Sequence, residues 1–325
     1  MKKITFILSL FFTISTQAAI LHVGIGSAYP YNNLSDAYDA ASNGDTLKVN
    51  SGNWGELNIS KPITIIGTGY HVQENGVNLS NENEATFSLI QLFQGSEGSH
   101  LIGLYIPNDI NITGTNNVVV ERCYVSDLDI ESSNNILVKN SYFYATTDPS
   151  DFINSNNVIL TNNFFRFLKI QDNSFVTVKN NVIYNLSSIC YNSTILNNII
   201  LDTNADIFDY NRNNTISYNL IKIQDAPSTA NFHYDENEFI DYETEAVCIG
   251  YPEIGDYSFD ARWQLAPNSL AIGAGEGGID CGIFGGNDPY ILSGLPPQPI
   301  IYELNVPLNA DPTGLNVNLK AKTNN

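Results

Sequence analysis

The sequence predicts an all-β solenoid in which short parallel strands stack from one turn to the next. One observation is a line of mixed polar and apolar residues that recurs every 17 to 22 residues. Its corner column contains Cys123, Ser141, Asn163, Asn181, Asn198 and Asn219. A second observation is the alternation of apolar residues within each line, as in Val176 and Val178, which has the period of a strand. Strands this short need equivalent strands about 4.8 Å away, so we expect them to stack around one apolar core.

The asparagines of the corner column have a physical reason to recur. Asparagine tolerates left-handed backbone angles at a tight corner, and its side-chain amide both donates and accepts hydrogen bonds. We therefore expect the column to form a ladder of stacked side chains. In the line "SNNVILTNNFF" (155–165), Asn163 then belongs to the ladder. Val158, Leu160 and one of the two phenylalanines belong to the core.

The first 18 residues have the features of a secretory signal peptide. Lys2 and Lys3 precede a short apolar run, and a cleavage site of small residues ends at Ala18. We therefore expect a secreted protein, periplasmic or extracellular. We expect no membrane span, because the apolar run is too short.

Residues 34–41 predict a short helix that caps the open N-terminal end of the solenoid. Asn33 precedes this segment and is suited to cap the helix, and Gly44 follows it. Ala37, Tyr38, Ala40 and Ala41 are expected to cover the first turn.

Two further segments indicate the type of solenoid. Residues 28–70 contain the short helix, then "GDTLKV", a turn with Trp54, and "ITIIG", while residues 265–290 contain "AIGAG" and "DCGIFGG". Together with the Asn corners, these segments resemble secreted bacterial proteins of the right-handed parallel β-helix, or pectin-lyase-like, fold. The resemblance implies one β-helix domain over residues 19–290, with its terminal turn in residues 265–290. A C-terminal linker and strand extension, residues 291–325, would pack on or near it.

The charge of the chain limits its partners. The formal net charge is −20, from 34 acidic against 14 basic residues, which argues against nucleic acid as a partner. An acidic surface also repels anionic polysaccharides unless a divalent cation such as calcium lies between them. A polysaccharide remains a candidate partner on these terms.

Enzymes of the pectin-lyase-like fold carry recognisable motifs, and this sequence lacks the principal ones. The Asn-Thr-Asp, Gly-His-Asp and Arg-Ile-Lys motifs of polygalacturonases are absent, as are the Trp-x-Asp-His and Arg-x-Pro-x-x-Arg elements of pectate lyases. The segment "DFINS" (151–155) is similar to part of a pectin methylesterase motif, but Ser155 replaces its glycine. The sequence thus leaves open whether the protein is an enzyme.

Position in the repeat identifies candidate site residues. The strand before each Asn line is expected to expose its outer face along a groove. Successive turns then place Asp129, Asp151 and Lys169 near one another. The adjoining corner holds Asp127, Asp148 and Arg166.

Two hypotheses fit these residues. In the first, the face is non-catalytic and belongs to a glycan-binding or surface-adhesion module, or is simply a solvated face with Asp–Lys pairs between turns. In the second, it resembles the site of calcium-assisted polysaccharide lyases. Lys169 and Arg166 would then be catalytic, Asp129 and Asp151 would bind substrate, and Asp127 and Asp148 would bind Ca²⁺.

Four cysteines are scattered along the chain, at positions 123, 190, 248 and 281. Export permits disulfides, and Cys248 could pair with Cys281. The alternative is that all four are small buried residues.

Overall fold

A computed structural model describes residues 18–75, 84–171, 174–188, 191–202, 212–222, 238–240, 247–251, 255–306, 314–315 and 317–323. The signal-peptide prediction therefore lies almost entirely outside the described residues. The described chain is an all-β parallel solenoid of about 8 turns, which confirms the predicted fold class at that level. Among the described residues, no helix is long and apolar enough to cross a membrane.

Equivalent strands of successive turns form a ten-stranded parallel sheet, here called sheet A. Because every strand pairs in register with its equivalent in the next turn, apolar positions fall into continuous rows. One such row is Val120, Val138, Leu160, Val178, Ile195 and Ile216. In spatial order, the strands of sheet A are Ile20–Val23, Thr46–Val49, Thr64–Ile66, His100–Ile102, Val119–Glu121, Asn134–Lys139, Asn156–Thr161, Phe175–Lys179, Thr194–Leu196 and Thr215–Ser217.

The rest of each turn belongs to a fifteen-stranded sheet, here called sheet B, which bends partway along each turn. Most turns contribute a two-residue strand, a bend and then a longer strand. In chain order, its strands are Gly52–Asn53, Glu56–Ile59, Ala85–Thr86, Leu89–Leu92, Tyr105–Thr113, Tyr124–Glu131, Tyr142–Phe143, Ser150–Ile153, Phe164–Phe165, Leu168–Ile170, Val182–Ile183, Leu186–Ser188, Ile199–Ile200, Leu220–Lys222 and Glu238–Ile240.

The predicted Asn ladder is present at the corner between sheet A and the short strands of sheet B. The backbone N–H of Asn163 donates to Asn181 Oδ1 at 2.9 Å, and Asn181 N–H donates to Asn198 Oδ1 at 2.8 Å. One part of the prediction is wrong, because the stacked asparagines are not themselves left-handed. The left-handed angles belong to the residue before each of them, such as Asn162 and Asn180.

A second ladder, which the sequence analysis did not predict, lines the corner where sheet B returns to sheet A. The N–H of Ser133 donates to Ser155 Oγ at 3.2 Å, and the N–H of Ser155 donates to Ser174 Oγ at 3.3 Å. These hydroxyls accept from buried backbone amides, as the asparagines do at the first corner. Both inner corners are therefore polar but hydrogen-bonded, which fixes the register between turns.

The capping helix is confirmed as Leu34–Ala40, with Asn33 as its N-cap: Asn33 Oδ1 accepts from Ser35 N at 2.8 Å. Leu34 and Ala37 are buried against the core. Ala40 is exposed, so the prediction that it covers the first turn is wrong.

The described residues between 247 and 295 do not add a further turn to either sheet, in contrast to the terminal turn predicted for residues 265–290. The described part of this segment runs back along the outside of the solenoid, where Asn162 Nδ2 donates to Gly285 O at 2.7 Å and Arg122 Nη1 donates to Leu295 O at 2.8 Å. We call it the strap. Gly285 is required by close packing, since a Cβ at this position would lie 1.9 Å from the Asp280 carbonyl oxygen.

The strap explains why both members of several apolar pairs are buried. Phe165 packs inside the solenoid, 4.7 Å from Phe143 between ring centroids. Phe164 points outward and is covered by Trp263 of the strap at 4.7 Å. Three short 3₁₀ helices shape the strap: Ala261–Trp263, Glu276–Gly278 and Leu292–Gly294. A separate antiparallel pair of strands, Ile300–Asn305 and Asn318–Lys322, follows it.

The described part of the chain contains no disulfide. Cys123, Cys248 and Cys281 carry buried thiols, and Cys281 Sγ donates to Tyr218 O at 3.2 Å. These three cysteines are therefore small buried residues, and Cys248 does not form a disulfide with Cys281. Cys190 lies outside the described residues.

Candidate functional site

One polar row runs along the outer face of the longer sheet B strands. Because alternate residues of these strands point into the core, the residues between them face outward. Strand pairing connects Asn111 to Asp129 and Asp151 to Lys169, and the pair Ile130–Phe152 aligns Asp129 with Asp151. The complete row is Asn58, Gln91, Asn111, Asp129, Asp151, Lys169 and Ser187.

The three predicted groove residues are therefore consecutive members of one row. Lys169 Nζ lies 2.9 Å from Asp151 Oδ2, and Gln171 Nε2 donates to the same oxygen at 2.5 Å. The backbone N–H of Asp151 donates to Asp129 Oδ1 at 3.3 Å. Asp151 Oδ1 is buried and has no hydrogen-bond partner among the described residues, so it keeps accepting capacity for a hydroxyl group or water.

The carboxyl groups of Asp109 and Asp127 form a hydrogen-bonded pair two residues before Asn111 and Asp129 in the same strands. Burial raises the pKa of Asp127 to about 8, and the hydrogen bond and negative charge of Asp109 add to this effect. Burial also raises the pKa of Asp129 to about 6, helped by the charges of Asp151, Asp109 and Asp148 and opposed by the Asp151 N–H. At neutral pH the Asp109–Asp127 pair therefore holds a proton, while Asp129 is largely ionised.

Aromatic rings lie beside the carboxyl groups, at the bend of sheet B. The Tyr124 ring lies 5.4 Å from Tyr105 and is stacked on Tyr144 at 4.6 Å. The Tyr144 hydroxyl donates to Pro107 O at 3.2 Å. Its pKa is raised by burial and by the nearby Tyr105, Asp127 and Asp109, so the phenol remains a neutral donor.

Arg166 lies at the same bend, two turns further along the solenoid than Tyr124. Its guanidinium carbon is 3.5 Å from the centroid of the Tyr184 ring, a cation–π contact. Tyr251 of the strap packs edge-on against Tyr184 at 6.2 Å. The bend thus carries a buried ring, Tyr124, and four half-buried rings, Tyr105, Tyr144, Tyr184 and Tyr251. We call the polar row, the Asp109–Asp127 pair and these rings the sheet B face.

The structure brings five of the six predicted site residues to the sheet B face. The sixth, Asp148, is exposed in the loop 144–149 and acts on Asp127 and Asp129 through its charge. Among the described residues, no three His, Cys, Asp or Glu side chains are arranged to hold a metal ion. The roles assigned to these residues, including calcium binding by Asp127 and Asp148, remain predictions.

The sequence analysis missed Asp109, Gln171 and the aromatic rings of the bend. Asp109 could have been identified from the sequence, because it precedes Asp127 by 18 residues and Asn111 precedes Asp129 by the same step. Extending the repeat alignment one turn toward the N-terminus would have placed both. Tyr251 could not be found this way, since it comes from the strap, which does not repeat.

Comparisons with known proteins add little to this description. No family model matches the chain, and no curated protein matches it. Among solved structures, the chain is similar to that of trypsin-treated QnrB1, a plasmid-mediated fluoroquinolone resistance protein. The match has 12% sequence identity and covers 61% of this chain and 93% of that chain, with a TM-score of 0.34. A likeness this weak carries no argument about function.

Proposed function

We propose that the protein is a secreted glycan-binding solenoid whose sheet B face holds a linear, neutral polysaccharide. The observation that supports this proposal is the polar row of sheet B with tyrosine rings beside it. Carboxylates and amides hydrogen-bond to sugar hydroxyls, and aromatic faces stack on sugar rings. In this proposal the solenoid is of the right-handed, pectin-lyase-like type that the sequence resembles.

The shape of the row favours a linear polymer. Hydrogen-bonding groups recur at every turn, about 4.8 Å apart, along a line parallel to the solenoid axis. A polysaccharide chain lying on this line meets a new polar side chain at each turn, from Asn58 to Ser187. A compact ligand would use only a small part of such a row.

The charge of the sheet B face favours a neutral ligand. Among the described residues of this face, four carboxyl groups, on Asp109, Asp127, Asp129 and Asp151, outnumber the two cations. These are Arg166, which lies against the Tyr184 ring, and Lys169, which is paired with Asp151. A chain of uronate units would add negative charge beside these carboxylates and be repelled. Sugar hydroxyls instead donate hydrogen bonds to them.

Replacing one aromatic ring tests this proposal. Tyr144→Ala is expected to weaken binding to the best neutral polysaccharide in a panel of cellulose oligomers, xylan, mannan and mixed-linkage glucan by about fivefold, because a lost stacking contact is worth roughly 1 kcal/mol. Isothermal titration measures the affinities. Asp151→Asn is expected to weaken binding as well, since it removes a charged acceptor.

Phe175→Ala is the matched control, because Phe175 is an aromatic residue 42% exposed on sheet A. It should change the affinity less than twofold. Binding to none of the neutral polymers, or equal loss of affinity in both aromatic variants, would contradict the proposal.

Adding polygalacturonate and alginate to the panel, with and without calcium, tests the predicted Ca²⁺ role of Asp127 and Asp148.

The Asp109–Asp127 pair favours a second candidate function, hydrolysis of the bound glycan. Glycosidases combine a protonated carboxyl, which donates to the leaving oxygen, with an ionised one that acts as base or nucleophile. Asp127 and Asp129 differ in this way at neutral pH. The lyase hypothesis has less support, because the Lys169 ammonium is engaged by Asp151 and is not a free base.

Release of reducing sugar ends from the bound polymer tests this second candidate. If Asp127 is the acid, Asp127→Asn should abolish release while leaving binding within about threefold of the wild type. If release of reducing ends persists in the variant, Asp127 is not the acid. Formation of an unsaturated uronate product from polygalacturonate or alginate would instead restore the lyase hypothesis.

A further inference from the structure

We infer that proteolytic processing after Ala18 builds an ion pair at the start of the solenoid, between the new α-ammonium group of Ala19 and the carboxylate of Asp45. This inference does not depend on the proposed glycan binding. It concerns the maturation of the chain and assigns a role to a buried carboxylate outside the sheet B face.

The geometry at Ala19 already has the donor and acceptor in place. The main-chain nitrogen of Ala19 donates to Asp45 Oδ1 at 2.7 Å, while Ser42 N donates to Asp45 Oδ2 at 2.8 Å. Asp45 is only 6% exposed. Its carboxylate is thus held rigidly and directed at the atom that becomes the chain terminus after cleavage.

The first strand of sheet A also begins next to this residue. Thr46 N donates to Ala19 O at 2.8 Å, and the first strand of sheet A starts with Ile20 paired to Thr46. Ala18 and Ala19 are both exposed, so a protease could reach the bond between them. The position coincides with the cleavage site of small residues that the sequence predicts.

Hydrolysis changes the chemistry of this contact. Water adds across the Ala18–Ala19 peptide bond, leaving a carboxylate on Ala18 and an amine on Ala19 that takes up a proton at neutral pH. The neutral amide that faces Asp45 before cleavage thereby becomes a cation. A charge-assisted hydrogen bond is roughly twice as strong as a neutral one.

The Asp45 carboxylate is able to form an ion pair with such a cation. Within the described part of the chain, the ion pairs do not include Asp45. Lys61 is the nearby positive charge, but its Nζ is bound to carbonyl oxygens, among them Ala41 O at 2.6 Å. The two amide donors hold the pKa of the Asp45 carboxyl below its ordinary value, with Lys61 as a smaller cause. The carboxylate is therefore ionised and available to the new terminus.

Mass spectrometry and amine reactivity test the inference. The full chain is produced with its leader in a bacterial host, and the exported protein is expected to begin at Ala19. Its α-amine should acylate about tenfold more slowly at pH 7 than in the Asp45→Asn variant, because the ion pair raises the pKa of the amine by about one unit above its usual 7.7–8.0.

Two further variants serve as a control and as a second test of the ion pair. Asp39→Asn alters an exposed carboxylate on the neighbouring helix and should leave the acylation rate unchanged. A glycine inserted before Ala19 in the mature chain displaces the amine while keeping Asp45, and should restore ordinary reactivity even if Asp45→Asn does not fold. A mature chain that begins elsewhere, or equal acylation rates in the wild type and the glycine-extended chain, would overturn the inference.

Discussion

Asn181→Ala is expected to lower the free energy of unfolding by about 3–5 kcal/mol, because it leaves several buried polar groups without partners. Asn181 is fully buried. Its Oδ1 accepts from both Asn163 N at 2.9 Å and Asn163 Nδ2 at 3.2 Å, and its Nδ2 donates to Leu160 O and Asn198 Oδ1. Alanine can replace none of these bonds, and water cannot reach the corner. Urea unfolding followed by circular dichroism measures the loss.

Asn156→Ala provides the matched control for this prediction. Asn156 belongs to an exposed Asn stack, where its Nδ2 donates to Asn134 Oδ1 at 3.2 Å, and water can replace that bond. Its substitution should cost less than about 0.5 kcal/mol. Equal effects of the two substitutions would mean that the inner ladder does not determine the stability of the solenoid.

Asp127→Asn is expected to stabilise the protein at pH 8 by on the order of 2 kcal/mol, and much less at pH 5. The folded pKa of Asp127 is about 8, whereas an unfolded aspartate titrates near its ordinary value of 3.8. Between these values the folded state binds the extra proton, so wild-type stability falls as the pH rises. Above pH 8 the folded state must hold a buried carboxylate beside Asp109. The amide removes this cost.

Unfolding midpoints measured from pH 5 to pH 9 test this prediction. The difference between variant and wild type should grow with pH and level off above pH 8. Asp39→Asn, on the exposed face of the capping helix, should shift stability by a small amount that does not change in this way. A wild-type stability that rises from pH 5 to pH 8 would show that the carboxyl pair is ionised in the folded state.

A carboxyl group with a raised pKa, which lowers the stability of the fold where it ionises, is typical of functional sites. Asp127→Asn would then stabilise the fold while removing the proton donor proposed for hydrolysis. If the variant were more stable and also fully active in glycan release, Asp127 would have no part in the chemistry.

The parts of the fold that repeat were predictable from the sequence. Stacking repeats the same corner in each turn, so the column from Cys123 to Asn219, which is asparagine from Asn163 onward, was visible before its hydrogen bonds were known. The same regularity placed Asp129, Asp151 and Lys169 in one row. The serine ladder was harder to see, because serine is common in loops and its corner lacks a flanking apolar pair.

The strap, which does not repeat, could not be predicted. The strap contacts each turn at a different residue, through backbone carbonyls such as Gly285 O and Leu295 O, so it leaves no period in the sequence. Because it covers the short strands of sheet B, Phe164 is buried although it points away from the core. The raised pKa of Asp127 likewise depends on Asp109 in the neighbouring turn and on burial at the bend, neither of which follows from the local sequence.

The central claim is that the sheet B face is the glycan-binding surface, and a crystal structure with a bound oligosaccharide tests it most directly. The ligand would be the neutral oligosaccharide with the highest affinity in the binding panel. We expect a sugar ring stacked against the tyrosines at the bend, with hydroxyl groups within hydrogen-bonding distance of Asp129 or Asp151. An oligosaccharide bound instead on sheet A, with the sheet B face in contact with solvent alone, would contradict the claim.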